Sequence, residues 1–373
     1  MEKAVLIISP FFSPNTGGVE THLDDLCQEL SSRKIKTQVI TYQPLTTRIK
    51  GGKREQRGSV TITRTKWYGH NLFHKIETNP LLVLIYLFPG LFIKSLFFML
   101  KNKKEIIAIH SHGMLASFIA KLLKIIFKTK IIASTHAIYN FKSRPMLAKI
   151  VKYALFSFDK ILAISQQSKQ ELISIGIEER RIKVYTYWVN QEIFAPLDKI
   201  KCQEELGWQE KFVVLFVGRL LAIKGVGLLL EAAKLIKDNI HIAIVGNGLL
   251  EEEVKEESRC NQRIIFAGKV DNQKLNIYYN AAGVVIVPSL YEEGYGRIIL
   301  EALSCETPVI ASKRGGIPEA LSEEVGILIS PSVDSIVDSI NKIHQDSDLR
   351  QVLSSKARAY ALKNFSKKNA DII

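Results

Sequence analysis

Short, unbroken apolar runs alternate along this chain with longer segments whose apolar positions recur every three to four residues. The runs at 4–9, 37–41, 106–109, 131–134 and 160–164 have the length and β-branched content of buried strands. Between them, 19–31, 114–127, 146–158 and 166–175 carry the helical period. The second half repeats the scheme, with strands predicted at 212–217, 240–245, 264–267, 284–287, 309–311 and 327–329. Such alternation predicts an α/β chain with two doubly wound, Rossmann-like parallel sheets. A linker with Pro196 is expected over 190–205.

One apolar stretch is long enough to test this scheme. Residues 81–100 contain a single charge, Lys94, and match the thickness of a bilayer. Pro89-Gly90 interrupts the stretch, and it lies between predicted strands of one domain. It therefore reads as a broken pair of helices, partly core and partly docked on lipid, rather than as a span.

Composition narrows the class. With 373 residues and 47% hydrophobic content the chain can bury two ordinary cores. Cys27, Cys202, Cys260 and Cys305 are too dispersed for a metal site or a disulfide framework and read as reduced thiols, which points to the cytoplasm. No basic leader with a cleavage site precedes the first strand, so a signal peptide is not expected.

The net charge of +14 is concentrated in the first half. Arg48, Lys50, Lys53, Arg54 and Arg57 share one polar loop; Lys101, Lys103 and Lys104 follow the long apolar stretch; Lys121, Lys124, Lys128 and Lys130 accompany a predicted helix. The residues interleaved with the last set are Leu122, Leu123, Ile125, Ile126 and Phe127. Aliphatic interleaving suits an anionic membrane surface better than nucleic acid, which asks for stacking platforms. A merely solvated basic face is the alternative.

The candidate chemistry lies at strand ends. Glu293-Gly294-Tyr295-Gly296-Arg297 follows the strand 284–287 and is followed by Glu301, eight positions after Glu293. Open α/β sheets bind ligands at the carboxyl ends of their strands. Gly294 and Gly296 allow close backbone approach, and the helix predicted over 297–305 turns its positive end to the same place. That helix has Ile298, Ile299, Ala302 and Leu303 as its apolar stripe, with Glu301 at the margin. Arg219 and Lys224 follow the strand 212–217, where two cations can hold a diphosphate. Asp346-Ser347-Asp348 has the form of a metal-binding D-x-D, but its place between late helices predicts capping.

Taken in order, these motifs resemble the retaining glycosyltransferases of family 4, which have the GT-B fold of two Rossmann-like domains facing a cleft. The matching residues run from Gly17-Gly18-Val19-Glu20 through His136 and Ser165 with Ser168. They continue through Gly218-Arg219, Lys224-Gly225, Gly246-Asn247-Gly248 and Gly268-Lys269-Val270, and close with the Glu293–Glu301 element, Thr307-Pro308 and Gly315-Gly316-Ile317-Pro318-Glu319.

The resemblance implies an acceptor-binding domain of residues 1–193 plus 358–373, the last helix crossing back near Phe365 and Ser366, and a donor-binding domain of 194–357. It implies that Arg219 and Lys224 stabilise the leaving diphosphate with the amides of Gly294, Tyr295 and Gly296. Glu301 would bind the ribose and Glu293 the donor sugar, with His136 contacting that sugar as a further catalytic residue. Gly17 and Gly18 would approach the donor, and Lys269 and Val270 would frame the base. Neither metal nor cofactor is expected. His110 and His112 are assigned acceptor-side or structural roles. The pattern departs from the family at Tyr187-Trp188-Val189-Asn190, where an Asn-Gly pair is usual.

The expected function is transfer of a sugar from a nucleotide-sugar to a lipid-linked or cell-surface glycan acceptor at the cytoplasmic face of a membrane. Alternatives are a soluble small-glycoside transferase, a GT-B sugar-nucleotide epimerase and a non-catalytic membrane-associated scaffold.

Overall fold

Strands buried on both faces need apolar side chains at nearly every position, and the runs that satisfy this requirement become the centres of two sheets. In a computed structural model, the structure describes residues 3–372 except 16, 46, 48, 69–71, 77, 78 and 238. Arg48 of the basic loop lies outside the described residues. The chain forms two compact units, Met1–Tyr185 with Ala370–Ile373, and Thr186–Asn369.

The first unit has eight strands: β1 (Ala4–Ile8), β2 (Lys36–Tyr42), β3 (Arg54–Arg57), β4 (Val60–Thr65), β5 (Ile106–His112), β6 (Lys130–Thr135), β7 (Lys160–Ala163) and β8 (Ile182–Val184). Their order is β3-β4-β2-β1-β5-β6-β7-β8, parallel except for the antiparallel β3–β4 pair. The sequence pattern does not reveal β3, β4 or β8. Arg54 and Arg57, expected in a loop, instead lie on the charged edge strand β3, a composition that discourages pairing with another chain. In β4, Val-Thr-Ile-Thr-Arg-Thr alternates buried with half-buried positions, and one buried position is Arg64. Its guanidinium donates to the carbonyls of Ser13 and Gly52 and to Glu55.

The second unit has six parallel strands: β9 (Phe212–Val217), β10 (Ile240–Val245), β11 (Ile264–Gly268), β12 (Val284–Val287), β13 (Val309–Ser312) and β14 (Gly326–Ile329). The order is β11-β10-β9-β12-β13-β14. The chain winds outward in one direction from β9 and in the other from β12, so the β9/β12 boundary is the topological switch point.

The compact units divide the chain differently from the 1–193 plus 358–373 partition. The helix Ser347–Asn364 belongs to the second unit, where it packs on the helix Arg297–Ser304. Leu353, Ala357 and Ala361 are its buried face, and Arg358 donates to the carbonyls of Gln191, Phe194 and Ser304. Only Ala370–Ile373 returns to the first unit. There Asp371 pairs with Arg33 at 2.5 Å, and Lys160 donates to the Ile372 carbonyl.

The long apolar stretch is one helix, Pro80–Asn102, not the broken pair expected from Pro89-Gly90. Proline removes one ladder donor and crowds the preceding turn. Tyr42 on β2 repairs the next turn: its hydroxyl donates to the Leu87 carbonyl at 2.5 Å and accepts from the Leu91 amide at 2.7 Å. A side-chain hydroxyl thus serves both groups at the turn around Pro89. The helix also buries Leu87, Leu91, Ser95 and Met99 on the same side.

Tyr42→Phe removes that bridge and leaves a buried donor and a buried acceptor. The expected cost is about 1–3 kcal/mol, read as a lower urea midpoint for the first unit with unchanged secondary structure by circular dichroism. An unchanged midpoint would show that the helix closes its own ladder past Pro89.

Candidate functional site

The switch point brings together two stretches that are far apart in sequence. The loop after β9 carries Arg219 and Lys224, and the loop after β12 carries Glu293. Lys224 Nζ lies 2.5 Å from Glu293 Oε1 and 3.0 Å from the Tyr291 hydroxyl. Ser289 Oγ donates to the same carboxylate at 2.6 Å and Tyr291 at 2.8 Å. Glu293 is 7% exposed. Burial alone would raise its pKa, but Lys224 and these donors outweigh burial and hold the carboxyl below its usual value. Arg219 is exposed and makes no side-chain hydrogen bond to a described residue. It nonetheless lies close enough to act electrostatically on the Tyr291 phenol.

Two glycines set this geometry. Gly225, at φ +78°, closes the turn after Lys224, where a Cβ would fall 2.1 Å from the Pro288 carbonyl oxygen. Gly315, at φ +58°, lies against the Glu293 backbone, with a Cβ 2.3 Å from its carbonyl oxygen. The amide of Gly316 donates to that carbonyl at 2.8 Å, and the amide of Gly315 donates to the Glu292 carboxylate at 2.6 Å. The Gly-Gly-Ile-Pro-Glu motif is therefore a clamp on the carboxylate loop. Asn247 of the Gly-Asn-Gly motif likewise ties the β10 loop to the Arg219 loop, accepting from the Leu220 amide at 2.9 Å.

Gly294, Tyr295 and Gly296 lead directly into the helix Arg297–Ser304, with Gly296 in the left-handed region at its cap. First-turn amides of a helix have no intrahelical partner and favour an anion. Tyr295 is anchored through its hydroxyl to the Glu319 carbonyl at 3.2 Å.

Glu301 is not at the margin of its helix but inside, at 1% exposure. Arg297 Nε donates to its Oε1 at 2.8 Å, and the Tyr279 hydroxyl donates to its Oε2 at 2.8 Å. Arg297 Nη1 reaches on to the Trp188 carbonyl at 3.2 Å. Trp188, the departure from the family pattern, is thus a buried residue whose backbone holds Arg297. Lys269 and Val270 line a cavity of about 360 Å³ with Glu205, Lys274 and Tyr278. Asp346 caps the helix Ser347–Asn364, accepting from the Leu349 amide at 2.8 Å.

The first unit has its own polar cluster around its switch point, β1/β5. Gly17 and Gly18 follow β1 at the start of the helix Gly18–Ser32. His110 and His112 end β5, and His136 follows β6. His112 Nδ1 lies 3.0 Å from His136 Nε2, and His136 Nδ1 lies 3.4 Å from the Tyr185 hydroxyl. His110 Nε2 is 2.8 Å from Ser134 Oγ. His112 Nε2 is buried without a hydrogen-bond partner among the described residues. An unpaired acceptor is tolerated better than an unpaired N–H. The His112 proton therefore sits on Nδ1 and is donated to His136, which donates onward to Tyr185. Ser165 caps the helix Gln166–Ser174, accepting from the Ser168 amide at 3.1 Å. The loop after His136 is fixed by Glu171, which accepts from the amides of Tyr139 and Asn140 at 2.8 and 2.7 Å.

Sequence reasoning missed Ser289 and Tyr291, although both are polar residues in the loop that carries Glu293. It also missed Tyr279, Tyr185 and the packing of His22 beside His136, whose ring centroids are 5.9 Å apart. No sequence spacing marks those contacts, because the partners come from different elements.

Two outcomes follow from these networks. Glu301→Ala removes the carboxylate paired with the buried Arg297 guanidinium, with an expected loss of about 3–5 kcal/mol in denaturant unfolding; a loss within experimental error would show that this ion pair does not hold the helix in place. Burial lowers the pKa of His110 and His136 to about 3, and that of His112 well below its usual value. Unfolded imidazoles take up protons below about 6.5, whereas these do not, so first-unit stability should fall as pH drops from about 6.5 toward 3. Histidine-labelled NMR should find three imidazoles still neutral at pH 5, and protonation of His136 near 6.5 would contradict the buried network.

Comparisons with known proteins identify the family. The Glycosyltransferase Family 4 profile matches residues 16–191, and the Glycosyl transferases group 1 profile matches 198–360. An uncharacterized glycosyltransferase of Methanocaldococcus jannaschii is 28% identical over 69% of this chain and 71% of its own. The phosphatidylinositol N-acetylglucosaminyltransferase GPI3 subunit of Saccharomyces cerevisiae is 24% identical over 91% of this chain and 74% of its own. Among solved structures, sucrose-phosphate synthase from Thermosynechococcus elongatus aligns with a TM-score of 0.83, at 20% identity, over 100% of this chain and 97% of its own. An Anabaena protein in complex with UDP-glucose aligns with a TM-score of 0.80, also at 20% identity, over 99% and 97%. With the two profiles covering both halves in order and the fold shared along its length, the chain belongs to the family 4 glycosyltransferases of the GT-B fold, enzymes that depend on a nucleotide-sugar.

Proposed function

We propose that the chain is a retaining, metal-independent transferase that moves a sugar from a uridine diphosphate donor to a lipid-linked acceptor at the cytoplasmic face of a membrane. The observation that carries this reading is the Lys224–Glu293 pair beside exposed Arg219 at the β9/β12 switch point. Breaking the bond between the anomeric carbon and the diphosphate leaves negative charge on the phosphate. Arg219, Lys224 and the amides of Gly294, Tyr295 and Gly296, just before the helix, are the groups that would stabilise it. Glu293 holds the Lys224 ammonium at 2.5 Å; with donor present Lys224 turns to the diphosphate and Glu293 orients sugar hydroxyls.

The acceptor hydroxyl then bonds to the anomeric carbon on the face that the diphosphate leaves, and its proton passes to the departing phosphate oxygen. Glu301, oriented by Arg297 and Tyr279, accepts from the ribose hydroxyls. A sugar hydroxyl at His136 displaces its 3.4 Å hydrogen bond to Tyr185. The uridine reading is supported by the Anabaena complexes with UDP-glucose and UDP. The lipid reading is supported by relatives named for phosphatidylinositol acceptors. A relative from Kribbella flavida is named D-inositol 3-phosphate glycosyltransferase, which makes that soluble acceptor the natural control.

Nucleoside diphosphate release is measured over a panel of nucleotide-sugars, with EDTA, and with lipid extract, phosphatidylinositol or D-inositol 3-phosphate. One uridine donor should be used, EDTA should change nothing, and lipid should raise the rate. Arg219→Ala should lower kcat by about 10²–10³-fold. Release abolished by EDTA would overturn metal independence. A requirement for D-inositol 3-phosphate alone would replace the lipid acceptor by a soluble one.

A further inference from the structure

The helix Pro80–Asn102 turns a second face outward. Leu82, Ile85, Pro89, Ile93, Phe97 and Leu100 are all exposed, at spacings of three and four residues. They form one uninterrupted apolar stripe along the side opposite Leu87, Leu91 and Met99. The helix Met114–Phe127 packs beside it, and Pro145–Leu155 packs beside that one. Their outer positions continue the surface: Leu122, Ile125 and Ile126 on the first, Met146, Ile150 and Tyr153 on the second, with Ile125 67% and Met146 76% exposed. Solvated helix faces are polar, and a contiguous apolar surface of this kind marks an interaction site.

Charge identifies what covers it. From residue 80 to residue 158 the sequence has twelve Lys and Arg and one acid, Glu105. Most of the chain's net charge of +14 therefore resides in the segment that builds this face. The basic residues accompany the apolar ones: Lys101, Lys103 and Lys104 at the end of the first helix, Lys128 at the end of the second, Lys149 and Lys152 on the third. Some are already used inside the unit, as Lys124 is by Asp159 at 2.9 Å. Others, including Lys101, Lys128 and Lys149, are exposed and have no ion-pair partner among the described residues. A lipid-facing amphipathic surface has this construction, with aliphatic side chains to enter the acyl boundary and lysines to meet anionic headgroups. A protein partner answering it would need an acidic rim around an equally large apolar centre. Nucleic acid would leave the aliphatic stripe in water.

We infer that these three helices together form a docking face for an anionic lipid bilayer, with the helix Pro80–Asn102 lying in the plane of the membrane surface. Its length and mean hydropathy of 2.1 would also permit a span. Crossing, however, would strip its buried side from β2 and break the Tyr42 bridge. The inference deepens the proposed function, whose lipid acceptor would be reached from this surface, but it rests on different residues.

The experiment is co-sedimentation of the full chain with vesicles of phosphatidylcholine alone or with 30% phosphatidylglycerol, at low and high salt. Binding should require the anionic lipid and fall at least fivefold at high salt. Lys101→Glu, Lys128→Glu and Lys149→Glu combined should lower the partition coefficient at least tenfold. Ile93→Ser, Phe97→Ser and Ile125→Ser combined should remove the salt-resistant remainder. Both variants should keep native circular dichroism and donor binding.

Vesicle binding unaffected by either variant would overturn the inference. So would failure of the wild type to bind, self-association abolished by the serine variant without lipid binding, or tighter binding to RNA than to vesicles. Loss of donor binding or turnover in the wild type with vesicle binding intact would count against the proposed function and leave the docking face standing.

Discussion

A buried carboxylate must be met by a cation or by donors, and the second unit meets this demand twice within nine residues. Glu293 is held by Lys224, Ser289 and Tyr291, and Glu301 by Arg297 and Tyr279. These partners come from the loops after β9 and β12 and from a neighbouring helix, so satisfying the charges fixes how those elements meet. The two pairs differ in what surrounds them. Lys224 is partly exposed and stands beside exposed Arg219, which has no ion-pair partner among the described residues, so the Lys224 pair can open toward a ligand. Arg297 and Glu301 are both buried, and their pair holds the frame in which the first one moves.

The same physical rule shapes the first unit without using charge. Its switch point gathers His110, His112 and His136 where burial favours the neutral imidazole, and the hydrogen bonds give each proton a preferred position. A neutral, oriented ring can offer one donor and one acceptor at a defined place, as hydroxyl-rich ligands require.

The second-unit strands were legible because parallel strands buried on both faces write themselves as unbroken apolar runs. Strands β3 and β4 were not, because a charged edge strand and the threonine-rich strand beside it resemble loops in composition. The switch-point residues Arg219, Lys224 and Glu293 were legible from their position after strands. The reading of Glu301 went astray because amphipathic spacing places a residue on a face but does not reveal the Arg297 and Tyr279 that cover it. Pro89 misled for a related reason. The sequence shows the lost donor, whereas the tyrosine hydroxyl that compensates lies 47 residues earlier on β2.

That tyrosine also has a consequence for synthesis. The stretch most able to enter a membrane is made after β1, β2 and β4, so Tyr42 and Trp67 have left the ribosome before it appears. Trp67 donates to the Tyr86 carbonyl of the helix at 2.8 Å, one residue before the Leu87 carbonyl of the Tyr42 bridge. A growing chain therefore already carries the strip on which this helix can pack. The order of elements along the polypeptide favours a helix laid against its sheet over one delivered into the bilayer as it emerges.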